Sequence, residues 1–168
     1  MPQVQLLTDS LFRDLIEQAS HTPRRRINFN FHESPDDNPH RFLNVFLEGS
    51  YVRPHRHLDP PKSEAFLVLE GRMAVILFAD DGKVEHSLLL GNGVEDNAKG
   101  VDLPPGLWHT VVALTPHAVC YEVKPGPWNP ATDKEFASWA PEESRPEAAA
   151  YLAELIDLVQ PRSVSPRR

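Results

Sequence analysis

The segment Gly49-Ser50-Tyr51-Val52-Arg53-Pro54-His55-Arg56-His57, followed by Glu64 and Gly71, is the strongest chemical signal in the chain. Residues i and i+2 of a strand face the same side, so His55 and His57 present two imidazoles to one surface. Glu64 opens the next strand, and a turn can bring its carboxylate beside them. His109 follows the turn Pro104-Pro105-Gly106 and begins a later strand. Three neutral imidazoles and one carboxylate make a hard-to-borderline donor set that suits Fe(II), Mn(II), Ni(II), Co(II) or Zn(II). A solitary His-x-His on a strand is more often hydrogen-bonded or solvated. The added Glu64, the flanking glycines and the downstream Pro-x-Gly-x-x-His weigh toward a ligand set for one divalent ion.

Side chains beside this set extend the chemistry. Strand alternation puts Tyr51 and Arg53 on the ligand face. An arginine inside a barrel is costly unless it meets an anion, which makes Arg53 a candidate for a substrate carboxylate or phosphate, although pairing with an internal Glu or twisting out at the rim is as good a reading. Tyr51 and Glu122 are the acid–base candidates; packing is the plainer role for Tyr51. On the closing strand the inward set is either Val119, Tyr121 and Val123 or Cys120 and Glu122, and alternation does not choose. Tyr121 and Trp108, next to His109, are candidate substrate contacts. Cys120 reads as a small buried hydrophobe, Lys124 as a surface residue, and His21, His40, His86 and His117 as surface. Asn28, Asn30 and His32 alternate on the first strand and would suit a polyol if that strand lined the barrel mouth; a solvated edge is the plainer reading.

The distribution of Gly and Pro shows what must position these groups. Of 168 residues 17 are Pro, yet none lies between Lys62 and Leu103, and all eight Gly lie between Gly49 and Gly126. Pro is excluded from central strands and Gly marks turns and bulges, so the middle of the chain reads as a run of paired strands. Strand-like pieces are expected at 27–31, 41–47, 51–57, 65–70, 72–79, 83–90, 101–103, 109–114 and 119–123, with a hairpin at Asp80-Asp81-Gly82 and a loop from Gly91-Asn92-Gly93 to Gly100. Before them, residues 8–20 predict a helix capped by Thr8, Asp9 or Ser10, with Leu11, Leu15, Ile16 and Ala19 on one face. Arg24-Arg25-Arg26 reads as a solvated basic cluster. After them come an extended Pro-spaced stretch, a short helix at 133–138, and an amphipathic helix at 147–160 with Ala149, Leu152, Ala153, Ile156 and Val159 inward. Pro161 would end that helix and leave residues 162–168 as a tail. The prediction is an all-β jelly-roll barrel with an N-terminal helix and a C-terminal helical extension. Its parts are 1–40 (helix and first strand), 41–126 (barrel core) and 127–168 (extended strap and helix).

These motifs resemble the cupin superfamily. Gly49, His55, His57, Glu64 and Gly71 fit the first cupin motif, with six residues instead of three or four between His57 and Glu64. Pro104, Gly106 and His109 fit the second, while Ala113 stands where Asn is usual. The stretches Arg53–His57, Phe66–Arg72, Pro104–Thr110 and Glu122–Pro127, with Asn129–Ala137 after them, are similar to the WbuC-type cupin-fold metalloproteins. The resemblance implies a cupin barrel with one divalent transition metal (Zn, Fe, Mn, Ni or Co), an association with bacterial polysaccharide biosynthesis, and a homodimer.

Charge and composition bound the rest. A net charge of −7 disfavours nucleic acid, which needs a basic face. A single Cys permits no internal disulfide and no Cys-based zinc site. The first residues show no leader pattern and no apolar run approaches the ~20 residues of a membrane span, so a cytoplasmic protein is expected. The expected function is metal-assisted isomerisation or oxygenation of a small polar or anionic, sugar-derived substrate. The alternative is a non-catalytic metal-dependent binding or sensor module. A metal-free epimerase with His as base fits the full ligand set less well.

Overall fold

The computed structural model describes residues 4–91 and 98–160. Asn92 and Gly93 of the expected loop, the Pro161 helix stop and the tail at 162–168 lie outside the described residues. In chain order the elements are α1 (Asp9–Ser20), β1 (Arg26–Asn30), β2 (His40–Leu47), β3 (His55–Arg56), β4 (Glu64–Phe78), β5 (Val84–Gly91), β6 (Gly100–Leu103), β7 (Trp108–Lys124), β8 (Glu135–Phe136) and α2 (Glu147–Val159).

The strands form one curled antiparallel sheet. One path runs β1-β2-β7-β3-β8, and β4 pairs with β5, β6 and β7. Strand β7 is the hub: its C-terminal half pairs with β2, His109 pairs with His55 of β3, and β4 runs along most of it. The four strand pieces expected at 65–70, 72–79, 109–114 and 119–123 are two long bent strands. The bend is built at Gly71, whose φ is +74° and where an added Cβ would lie 2.2 Å from the His117 carbonyl oxygen. The β4–β7 register slips on both sides of it. Thr115 fills the gap, accepting from the Arg72 N–H (2.9 Å) and donating to the His117 carbonyl (2.6 Å).

Three apolar clusters hold the sheet. Inside the curl, Phe66, Val68, Met73, Val75, Val111 and Cys120 pack together. Outside, α1 lays Phe12, Leu15 and Ala19 on Leu43, Val45, Leu47 and Val119. Thr8 caps α1, its side chain accepting from the Leu11 N–H at 3.2 Å. On the other outer face α2 packs on Ala74, Ile76 and Val112. Its buried residues are Ala148, Leu152, Leu155 and Val159, so the inward face is turned from the expected one, and Ala149 and Ala153 are exposed. The larger side chains decide the rotation, since burying a Leu or Val is worth about 1.5–3 kcal/mol and an Ala far less.

Two local expectations give way to pairing. Residues 133–138 do not form a helix: Glu135 and Phe136 pair with Arg56 and His55, and the Ala137 N–H donates to the Pro54 carbonyl at 2.9 Å. Six residues are too few to offset helix nucleation when a sheet edge offers partners. The strand expected over 51–57 is regular only at His55–Arg56. Among the described residues no helix is long and apolar enough to cross a membrane.

Candidate metal centre

His55 on β3, His57 just after it, Glu64 at the start of β4 and His109 on β7 meet inside the curl. All are buried, and their ligating atoms lie within 4.8 Å of one another. Pairing of His55 with His109 across β3 and β7 brings the two motifs together. Each ring is oriented by a backbone carbonyl at Nδ1: Arg53 for His55 (3.0 Å), Leu107 for His109 (2.9 Å), and Asp133 for His57. A carbonyl only accepts, so each Nδ1 carries the proton and each Nε2 holds a free lone pair.

Those lone pairs converge. His57 Nε2 is 3.1 Å from Glu64 Oε1 and His109 Nε2 is 2.9 Å from Oε2. Even so, His57 Nε2, His109 Nε2 and Glu64 Oε2 are buried without a hydrogen bond of acceptable geometry. Buried polar atoms without partners are costly, and a divalent cation bound by all of them relieves that cost. The residues fit the metal that the donor set implies. Burial, then the nearby Lys134 charge, holds His55 well below the ordinary imidazole range, which keeps it neutral.

A cavity of about 580 Å³ opens from this cluster. Glu122 lines it, with Asn44 Nδ2 donating to its Oε2. Burial and the Glu64 charge push Glu122 well above the ordinary carboxyl range, which favours its protonated form. Asn28, Asn30 and His32 line the same cavity; the first strand does form part of its wall.

Several expected neighbours lie elsewhere. Tyr51 is buried against α2, its hydroxyl donating to the Pro141 carbonyl at 2.9 Å. Arg53 donates to the Ala137 carbonyl at 2.7 Å and sits 5.5 Å from the centroid of the Phe136 ring. Neither lines the cavity, because 51–54 is not regular strand and Val52 takes the inward position. Trp108 donates to Asp80 at 2.9 Å under the Arg56 guanidinium, on the α2 side of β7. Tyr121 packs on the α1 side; past the bend, the inward residues of β7 are Cys120, Glu122 and Lys124. Lys124 is therefore buried, not on the surface, and its Nζ is 3.0 Å from Asp133 and 3.7 Å from Glu64. His40 is also buried, stacked on His32 at 4.1 Å. Arg26, read as part of a solvated cluster, has a buried side chain paired with Glu143 at 2.6 Å.

Sequence reasoning missed Asn44, Asp133 and Lys134. For Lys124 the available signal was parity with Glu122. For Asp133 and Lys134 there was none, because they sit in the strap and reach the cavity by returning over the barrel.

A family model described as a domain of unknown function (DUF6016) matches residues 7–90. The chain belongs to the DUF6016 family. No curated protein matches it in sequence. Among solved structures, this DUF6016 chain is similar to the capsular polysaccharide assembling protein CapF from Staphylococcus aureus, with TM-score 0.51 and 23% identity over 64% of this chain and 28% of CapF. It thus spans under a third of that protein's length. An oxalate oxidase in complex with the substrate analogue glycolate superposes with TM-score 0.51 and 17% identity, over 70% of this chain and 57% of that one. Protein SO0799 from Shewanella oneidensis gives TM-score 0.57 and 12% identity over 88% and 93%. At these identities the likeness shows the fold, which is that of the cupins.

Proposed function

We propose that this chain is a cupin metalloprotein of the WbuC type, holding one divalent transition metal through His55, His57, Glu64 and His109 and acting on a small polar or anionic, sugar-derived substrate. The observation that carries the reading is the convergence of Nε2 lone pairs and the Glu64 carboxylate without hydrogen bonds among them. A metal bound there supplies Lewis acidity to a substrate oxygen. The chain's own residues do the remainder. The three Nδ1–H···O=C bonds fix the imidazoles before metal arrives. Glu122, in the same cavity, holds a proton on its carboxyl and hands it to or takes it from the substrate, with Asn44 Nδ2 fixing its orientation. The inward apolar wall of Phe66, Val111 and Val52 excludes water behind the site. The sugar-derived class draws on the amides of β1 and on the resemblance to WbuC-type proteins.

Elemental analysis of purified protein tests the metal. About one transition metal per chain is expected for four convergent ligands, and His55→Ala and His109→Ala should each lose most of it with the fold intact by circular dichroism. A double variant that keeps the wild-type metal content overturns the assignment.

A further inference from the structure

The cations that line the cavity are not equivalent. Arg24 and Arg26 both pair with Glu143, at 3.1 and 2.6 Å. Lys124 pairs with Asp133 at 3.0 Å. Lys134 lines the same cavity and is half-buried, yet among the described residues its ammonium makes no hydrogen bond and has no carboxylate within ion-pair distance. Its neighbour Asp133 is already taken, bridging Lys62 (2.8 Å) and Lys124 (3.0 Å). Lys134 is close enough to the centre for its charge to act on His55, Glu64 and Glu122. An ammonium withdrawn from water without a partner is costly, and the open cavity in front of it is where a partner fits.

The surroundings say what that partner carries besides charge. Asn28, Asn30 and Asn44 face the cavity from β1 and β2, and an amide offers both donors and an acceptor to a hydroxyl. Trp128 and Phe136 line it as half-exposed rings, suited to the C–H face of a sugar or polyol. Arg53, the cation that alternation pointed to, is committed to the Ala137 carbonyl and does not reach the cavity.

We infer that Lys134 anchors the anionic group, carboxylate or phosphate, of a small polyhydroxylated ligand whose hydroxyls meet Asn28 and Asn30 while its far end reaches the His55–His109 cluster. This deepens the proposed function and rests on it for the metal end only. The anchor comes from the strap, so the ligand site is complete only when residues 127–137 are folded over the barrel.

Calorimetric titration with three probes tests it: D-gluconate, glycerol 3-phosphate and neutral sorbitol, each on metal-loaded and on chelator-treated protein. At least one of the two anions should bind about tenfold or more tighter than sorbitol, and its affinity should fall with salt. Lys134→Met should lose about tenfold or more of that preference, Lys134→Arg should recover part of it, and Arg53→Met should keep it. Metal content should be the same in Lys134→Met as in wild type, which separates an anchor from a ligand or a folding defect. Anions binding no better than sorbitol, or Lys134→Met binding like wild type, would overturn the inference. Wild-type protein that takes up no transition metal yet keeps the anion preference would overturn the metal reading and leave Lys134 standing.

Discussion

Each imidazole of the cluster is fixed at one nitrogen so that the other is free. For His55 and His109 the acceptor is the carbonyl two residues back, Arg53 and Leu107, the same local device on two strands. For His57 it is the Asp133 carbonyl, 76 residues away. The apo protein therefore keeps a preorganised, poorly satisfied centre, and metal should stabilise it strongly. At a free metal concentration 100-fold above Kd the gain is about 2.7 kcal/mol, or roughly 5–10 °C in a domain of this size. Differential scanning with Zn(II), Mn(II) or Fe(II) should show that rise in wild type and less than half of it in Glu64→Gln, which keeps the shape and removes the charge. An equal rise in both would remove Glu64 from the ligand set. The ligands themselves were readable from residue type and spacing, because imidazole and carboxylate chemistry belongs to the side chain. The carbonyl that orients His57 was not, since a backbone oxygen has no sequence signature and its partner is set by the return of the strap.

Strand alternation is reliable only while a strand stays regular. On β7 the inward residues are Val111 and Ala113 before the bend and Ala118, Cys120 and Glu122 after it, so parity changes within one strand. Period-2 patterning placed His55 and His57 on one face correctly, left Tyr121 against Glu122 undecided, and set Tyr51 on the wrong side where 51–54 is irregular. The bend that shifts the parity is also a point of conformational demand. Gly71 combines a positive φ with a backbone carbonyl in the place of a side chain, and that carbonyl cannot swing away as a flexible side chain would. The φ alone costs a non-glycine residue about 1–3 kcal/mol, and displacing the His117 carbonyl adds to it. Gly71→Ala should lower stability by at least about 2 kcal/mol in urea unfolding. It should also weaken metal binding, because the ligands Glu64 and His109 lie on the two strands that the bend brings together. A variant as stable as wild type would show that the bend tolerates a Cβ and that the turn is set elsewhere.

At the scale of the molecule, the C-terminal quarter is part of the site. After β7 the chain returns over the barrel, pairs β8 with β3, buries Asp133 between Lys62 and Lys124, and brings Glu143 to Arg24 and Arg26 beside β1. Glu143 also lies 3.4 Å from the Arg53 backbone N–H, so one carboxylate joins the strap to both edges of the cavity mouth. Burial works against its ionisation, but the Arg26 and Arg24 charges outweigh it and hold its pKa below the ordinary 4.5. A carboxyl depressed in the folded state contributes stability that is fully present above its unfolded pKa and is lost as pH falls through the folded one. The contribution is about 1–2 kcal/mol for a half-buried, charge-assisted pair. Glu143→Gln should therefore be less stable than wild type by that amount at pH 7. The two proteins should converge as pH drops below 4.5, giving the variant the shallower acid limb in unfolding followed by circular dichroism. A gap that stays constant from pH 7 to pH 3 would mean that the Glu143 charge does not hold the strap, and that Asp133 and β8 fasten it over the barrel without help from the arginines.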